Sequence, residues 1–215
     1  MPANIAKWDQ RYLRGEHTTK EPSPLLRTAI ESLKPGRALD IACGVGRHAI
    51  FLAEHGWKVT AVDASRVGID ILNQRAREAG ERSARIPACG TQASCLLTID
   101  ARVADLEKGE FTIKPETYDL VCVFYYLQRD LFSPIRAGVK RGGTVVAAIH
   151  LNDGKEDAKP ANPAFLLEPG ELKQLFADWE ITYYREGESD EGGHHHDTAY
   201  LIARKPPELS QYHLR

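Results

Sequence analysis

Ala38-Leu-Asp-Ile-Ala-Cys-Gly-Val-Gly-Arg-His-Ala49, running on through Gly56-Trp57 to Val59-Thr-Ala-Val-Asp63, is the stretch whose reading decides the fold. It reads as a short buried strand, a tight glycine turn, a helix, and a second strand ending on an acid. Gly44 and Gly46 admit backbone angles that a side chain disfavours, and without Cβ atoms they let a ligand approach the main chain. A helix opening near Gly46 aims unpaired N–H groups into the turn. Asp63 lies 19 positions after Gly44, where an acid about 20 residues beyond the glycines accepts hydrogen bonds from ribose hydroxyls. The stretch is therefore half of a nucleotide-binding unit.

Working outward, the pattern repeats. Ser23-Pro24 reads as an N-cap followed by proline at the first helical position, and Leu25, Leu26, Ile30 and Leu33 give that helix an apolar stripe. The first strand covers about 38–42, its helix 47–55 with Gly56 as C-cap, and the second strand 58–62. Ser65 caps a third helix that Gly80 is expected to stop. Residues 81–98 lack periodicity and read as an irregular excursion. Strands follow at about 101–103, 119–124 and 144–149, the last preceded by a helix over 130–139 that Arg141-Gly142-Gly143 ends. A polar loop over 151–163 leads to a helix over 169–176. Two strands, 180–184 and 198–203, flank a Gly/Asp/Glu/His linker, and residues 206–215 read as a frayed tail. Alternating strands and helices predict a doubly wound, mostly parallel α/β sheet.

Size and composition set limits. The 215 residues suit a single domain spanning 1–215, with 1–33 as an N-terminal cover and helix. The 28 basic and 30 acidic residues leave no excess that would attract nucleic acid or an acidic membrane. No apolar run approaches the roughly 20 residues needed to span a bilayer, and the polar N-terminus lacks a secretory segment, so a cytoplasmic location is expected. The four cysteines read as free thiols, Cys89 and Cys95 being too far apart for a close-spaced zinc pair. No metal is expected. In His194-His-His196 consecutive side chains of an extended segment point to opposite faces, which falls short of a four-ligand site; the hypothesis for this segment is that one histidine touches substrate.

Taken alone, Gly44-Val-Gly46-Arg-His-Ala49 also satisfies the dinucleotide pattern G-x-G-x-x-G/A. Asp40 separates the readings. A carboxylate four residues before Gly44 suits an ammonium group in the turn and would repel a pyrophosphate. S-adenosylmethionine offers an ammonium, a ribose and an adenine, and carries no phosphate.

The order Asp40, Gly44, Gly46, Asp63, Asp105 resembles the class I S-adenosylmethionine-dependent methyltransferases. The sharpest parts are Leu39 to Arg47 with Val62-Asp63, then Tyr118-Asp-Leu-Val121, Gly142-Gly143 and the closing strand Ala199 to Lys205. Trp8-Asp-Gln-Arg-Tyr12 and Phe165-Leu-Leu-Glu-Pro-Gly-Glu-Leu172 are similar to segments of the small bacterial methyltransferases of tellurite-resistance type. The resemblance implies a seven-stranded Rossmann-like sheet with an antiparallel last strand, and S-adenosyl-L-methionine as cofactor. It implies that Asp40 and the turn hold the methionine part, Asp63 the ribose, and Asp105, with Asp100 as rival, the adenine amine. The implied cofactor-binding set is Tyr12, Asp40, Ala42, Gly44, Gly46, Asp63, Asp105, Leu106 and Phe124. Ala42 stands where the family has the first glycine of the turn, which the turn tolerates if φ there is negative. The link 81–98 is longer than the family's.

By the family's topology, Phe124-Tyr-Tyr-Leu127 and His150-Leu-Asn152 reach the cofactor edge, making Tyr125 and His150 the catalytic candidates and Tyr12 with Trp8 the cover. Strand four lacks an Asn/Asp-Pro-Pro-aromatic signature, which disfavours exocyclic base nitrogens as acceptors. The expectation is methyl transfer by direct displacement to a small-molecule acceptor. The alternatives are a non-catalytic S-adenosylmethionine-binding module and a nicotinamide-dependent oxidoreductase. The sequence leaves the acceptor and the oligomeric state open.

Overall fold

The computed structural model describes residues 5–84, 97–154, 162–191 and 196–207. The chain divides into two compact units, Met1–Thr112 and Ile113–Arg215.

In the first unit the helices are α1 (Ile5–Leu13), α2 (Pro24–Glu31), α3 (Arg47–Glu54) and α4 (Arg66–Ala84), and the strands β1 (Arg37–Ile41), β2 (Lys58–Asp63) and β3 (Ile99–Val103). β2 lies between β1 and β3, parallel to both, with Asp40 opposite Ala61 and Asp63 opposite Val103. Ala38 to Ile41 are all buried, as expected of a parallel strand covered on both faces. α3 packs on β1 and β2, α4 on β2 and β3, and α1 on α4. Leu26, Leu39, Leu52, Trp57 and Leu72 fill the core.

In the second unit β4 (Tyr118–Phe124) leads through a 3-10 turn, Arg129–Leu131, into α5 (Phe132–Gly138). Then come β5 (Val139–His150), α6 (Glu171–Leu175), β6 (Glu180–Gly187) and β7 (Thr198–Arg204). β4 and β5 are parallel, while β7 is antiparallel to both β5 and β6. Strand order is β3-β2-β1-β4-β5-β7-β6, a seven-stranded mixed sheet flanked by helices, and the predicted Rossmann-like architecture holds.

One local expectation holds in position only, and three are corrected. Ser23 occupies the N-cap position of α2, but its side chain makes no capping bond; its N–H instead donates to His48 Nε2 at 3.2 Å. Gly80 does not stop α4, which continues to Ala84; a glycine ends a helix only when the next turn adopts left-handed backbone, and Gly80 is not among the positive-φ glycines. Arg141-Gly142-Gly143 lies inside β5 and does not end α5. Gly142, at φ +75°, marks a step in register between Tyr118↔Val139 and Leu120↔Thr144. The helix expected over 169–176 is the five residues of α6. Residues 85–96, with Cys89 and Cys95, lie outside the described residues, as do His194, His195 and the tail from 208; Cys43 and Cys122 are both buried.

Candidate active site

The turn after β1 is built from left-handed residues. Ala42 has φ +52°, Gly44 +55° and Gly46 +79°. The negative φ expected at Ala42 is thus corrected. An alanine in this region costs about 1–2 kcal/mol, a strain that persists only where surrounding bonds over-determine the backbone. They do so here. Cys43 N–H donates to Val62 O at 3.0 Å, Gly46 N–H to Cys43 O at 3.0 Å, and Gly44 N–H to Asp63 Oδ2 at 2.8 Å.

Asp63, the last residue of β2, therefore ties two segments together, since its Oδ1 accepts from Ser65 N–H at 2.8 Å. Burial raises its pKa first of all, against those two N–H bonds that lower it. Asp40 is more enclosed, at 1 % exposure. Its Oδ2 is buried without a hydrogen-bond partner. Burial pushes its pKa up to about 7, partly offset by the Arg47 charge and a bond from the Ala49 N–H. A buried carboxylate oxygen without a donor is a costly group. A ligand ammonium would satisfy it, whereas a phosphate would worsen it. The donor set of this turn accordingly fits a ligand with an ammonium and a ribose.

Tyr12 covers the turn. Its hydroxyl stands 2.9 Å from the point a Cβ on Gly44 would occupy. Burial above all, then the charge of Asp63, raises its pKa, so the phenol stays protonated. α1 is held over the turn by a short hydrogen bond from Ser65 Oγ to Asp9 Oδ1, while Ser65 Oγ also accepts the Gly68 N–H at 2.9 Å as the cap of α4. Asp9 was not singled out by sequence reasoning; its partner lies 56 residues away. Trp8 is 36 % exposed and packs on the outer side, its ring 5.8 Å from that of Tyr12 with the Arg11 guanidinium 5.0 Å from its centre.

Of the two rivals after β2, Asp100 lies within β3 and is exposed, paired with Arg102 at 2.6 Å. Asp105 is buried just beyond the strand end. It accepts the Glu107 N–H at 3.0 Å as cap of the 3-10 turn opening at Leu106 and pairs with Lys108 at 3.0 Å. Leu106 is buried beside it.

The second unit gathers a different cluster at the carboxyl end of β4 and β5. Phe124 is the buried last residue of β4. Tyr125 follows at φ +56°, its N–H donating to Ala148 O at 2.7 Å and its ring 4.9 Å from that of His150. Burial raises the Tyr125 pKa. Its hydroxyl lies 3.5 Å from Ser189 Oγ. His150 Nδ1 is 3.4 Å from Thr198 Oγ1, and its ring is 6.0 Å from that of His196.

Because β7 opposes β5, with His150↔Thr198 in register, the chain entering β7 at His196 and Asp197 stands beside His150. His196 Nδ1 is 3.3 Å from Asp153 Oδ1, and Asp153 Oδ2 accepts the Asp197 N–H at 2.8 Å. An Nδ1–H donor would leave Nε2 as the acceptor. Asp153 was missed because it reads as part of a polar loop. Among the described residues no group of three His, Cys, Asp or Glu side chains is placed to hold a metal, and no helix is long and apolar enough to cross a membrane.

Comparison with known proteins adds family evidence. Residues 7–200 match the family model described as Tellurite resistance protein TehB. Hemagglutinin 1 of Eikenella corrodens is 27% identical over 187 residues, 81% of this chain and 54% of that protein. The Haemophilus influenzae protein named probable S-adenosyl-L-methionine-dependent methyltransferase TehB is 26% identical over 193 residues, 82% of this chain and 60% of that protein. The chain thus spans little more than half the length of these curated relatives. In structure, TehB from Haemophilus influenzae superposes with a TM-score of 0.68 at 22% identity, covering 92% of this chain and 67% of that one. A Burkholderia thailandensis 1,6-didemethyltoxoflavin-N1-methyltransferase, solved with S-adenosylhomocysteine, gives 0.63 at 17% identity, covering 94% and 87%. Both share the fold.

Proposed function

This chain belongs to the TehB family, and on that premise we propose that it is an S-adenosylmethionine-dependent methyltransferase acting on a small-molecule acceptor. The observation that carries the reading is Asp40. A buried carboxylate with an unpartnered oxygen stands on the strand leading into a glycine turn that Asp63 holds by its main chain. That combination suits a cationic amino-acid moiety and a ribose and opposes a pyrophosphate.

When bound, S-adenosylmethionine supplies an electrophilic methyl group on a sulfonium. The protein binds and aligns it: Asp40 and the turn take the methionine part, Asp63 the ribose, Asp105 and Leu106 the adenine, with Tyr12 covering the turn. Excluding water and fixing the line of attack supply most of the rate in a displacement of this kind. The test is calorimetric titration with S-adenosylhomocysteine and with NAD. Micromolar binding of the first and none of the second is expected; the reverse pattern assigns the chain to nicotinamide chemistry.

Asp40 gives this binding a pH dependence. Its pKa is raised to about 7, so at lower pH it holds a proton that the ligand ammonium must displace. Affinity for S-adenosylhomocysteine is expected to fall by up to about tenfold per pH unit below 7 and to level off above it. Asp40→Asn should remove most of that slope. An unchanged slope in the variant would mean that another group carries it. The same shift makes the folded chain bind more protons than the unfolded one between about pH 4 and 7, so the Asp40 contribution to stability falls as pH rises through that window.

For the acceptor we propose the cluster of Tyr125, His150 and His196, with Asp153 orienting His196. A thiolate or an oxyanion attacks unaided, while a protonated acceptor delivers its proton to a ring nitrogen. Chalcogen oxyanions, thiols, amines and hydroxylated aromatics make the acceptor screen, and methylated product in any arm separates an enzyme from a binding module. With a protonated acceptor, His196→Ala is expected to lower kcat about 100-fold. Asp153→Asn should lower it less, with a shifted pH profile. Wild-type turnover in His196→Ala would remove that residue from the reaction. We further propose that the chain acts as one methyltransferase domain in the cytoplasm, with no nucleic-acid or membrane partner.

A further inference from the structure

A groove of about 400 Å³ lies among α2, α3, α4 and the loop before α2. Asp40, Gly44, Gly46 and Asp63 do not line it. Basic side chains enter it from four elements: Lys20 from the loop, Arg27 from α2, Arg47 from α3, and Arg75 and Arg82 from α4. Glu21, Glu54 and Glu78 share the lining, so five cations face three carboxylates and an excess of two positive charges remains. Two of the acids are already engaged. Glu21 Oε2 accepts from Arg27 Nη2 at 2.5 Å, and Glu78 Oε1 accepts from Gln74 Nε2 at 3.0 Å.

Three of the guanidiniums are held in place. Arg75 Nη2 donates to Thr18 O at 2.7 Å, while its Nη1 is buried with no acceptor, and burial lowers its pKa. Arg47 Nη1 donates to Glu21 O at 3.4 Å. Arg27 lies over the Phe51 ring, 5.4 Å from its centre, and Phe51 packs in turn against His55 at 4.3 Å. Fixed guanidiniums over an aromatic floor bind oxyanions well, because the planar fork presents paired donors and loses little freedom on binding. Concavity and size suit a small molecule.

We propose that this groove is a second binding site, taking a small polyanion with at least two oxyanion groups, phosphate or carboxylate. The positive excess attracts it, and a modest turn of Arg75 gives the buried Nη1 an acceptor. Arg47 follows directly on Gly46, so an occupant neutralising it would also weaken the charge that holds down the Asp40 pKa. The site thereby communicates with the turn. Its existence does not depend on which cofactor the turn takes.

The test is thermal unfolding of the full chain in sodium pyrophosphate, in citrate, and in sodium chloride of matched ionic strength. A saturable rise in Tm of roughly 3–6 °C is expected at about ten times Kd. Whichever anion gives the larger rise identifies the oxyanion class. Lys20→Gln/Arg27→Gln removes two positive charges and releases Glu21, and should weaken the anion at least tenfold. Titration of the same variant with S-adenosylhomocysteine keeps the two readings separate. A rise matched by chloride, or one retained in the variant, overturns the proposal.

Discussion

Asp63→Ala is expected to weaken S-adenosylhomocysteine binding by roughly 10- to 100-fold, the worth of hydrogen bonds to a charged acceptor at about 1.5–3 kcal/mol. The structure shows why the loss should be large. The carboxylate accepts the Gly44 N–H on Oδ2 and the Ser65 N–H on Oδ1, leaving its remaining lone pairs for ribose hydroxyls. Alanine removes the ribose acceptor and frees the turn together. Asparagine should do nearly as badly, because its amide nitrogen would face one of those two N–H groups. Both buried donors would also lose their partner, so unfolding should come earlier in either variant; binding must be measured well below the new Tm. Wild-type affinity in Asp63→Asn would show that the carboxylate does not hold the ribose.

Gly46→Ala should produce the largest loss of stability. A Cβ there would stand 2.4 Å from Leu72 Cγ and 2.6 Å from its Cδ1, with Leu72 fully buried and no loose end to swing aside. The φ of +79° adds left-handed strain. Strain of about 1–2 kcal/mol and overpacking of about 1–3 kcal/mol together predict a fall in Tm on the order of 10 °C. Gly44→Ala provides the contrast, since its Cβ meets only the hydroxyl end of Tyr12. In a double-mutant cycle, Gly46→Ala and Leu72→Ala should couple by about 1 kcal/mol or more. Additive losses would mean that strain alone accounts for the effect.

What could be read beforehand was whatever depends on near neighbours in the chain. The glycine turn, Asp63 and the Ser65 cap are local constellations, and spacing alone exposes them. Gly142 is the counter-example. Arg-Gly-Gly after a helical stretch has the composition of a helix end, but Gly142 N–H donates to Lys205 O and Lys205 N–H to Gly143 O. Only a partner far along the chain makes the segment a strand. Ala42 failed for a related reason: alanine prefers negative φ, and the ladder bond from Cys43 to Val62 overrides the preference. Asp153 and Asp9 were invisible because hydrogen bonds across 43 and 56 residues leave no periodicity. Tyr125 and His150 could be singled out because each stands at the end of a recognisable strand, although their ring contact belongs to the folded chain.

The pairing of β6 with β7 has an evolutionary consequence. From Tyr183↔Ile202 the two strands are matched residue for residue up to Gly187↔Thr198, and Thr198 is at the same time opposite His150. The ladder between β6 and β7 therefore closes at Gly187↔Thr198. Insertions, deletions or exchanges between those two positions leave the ladder intact, so the length of the connection can drift while the sheet is inherited unchanged.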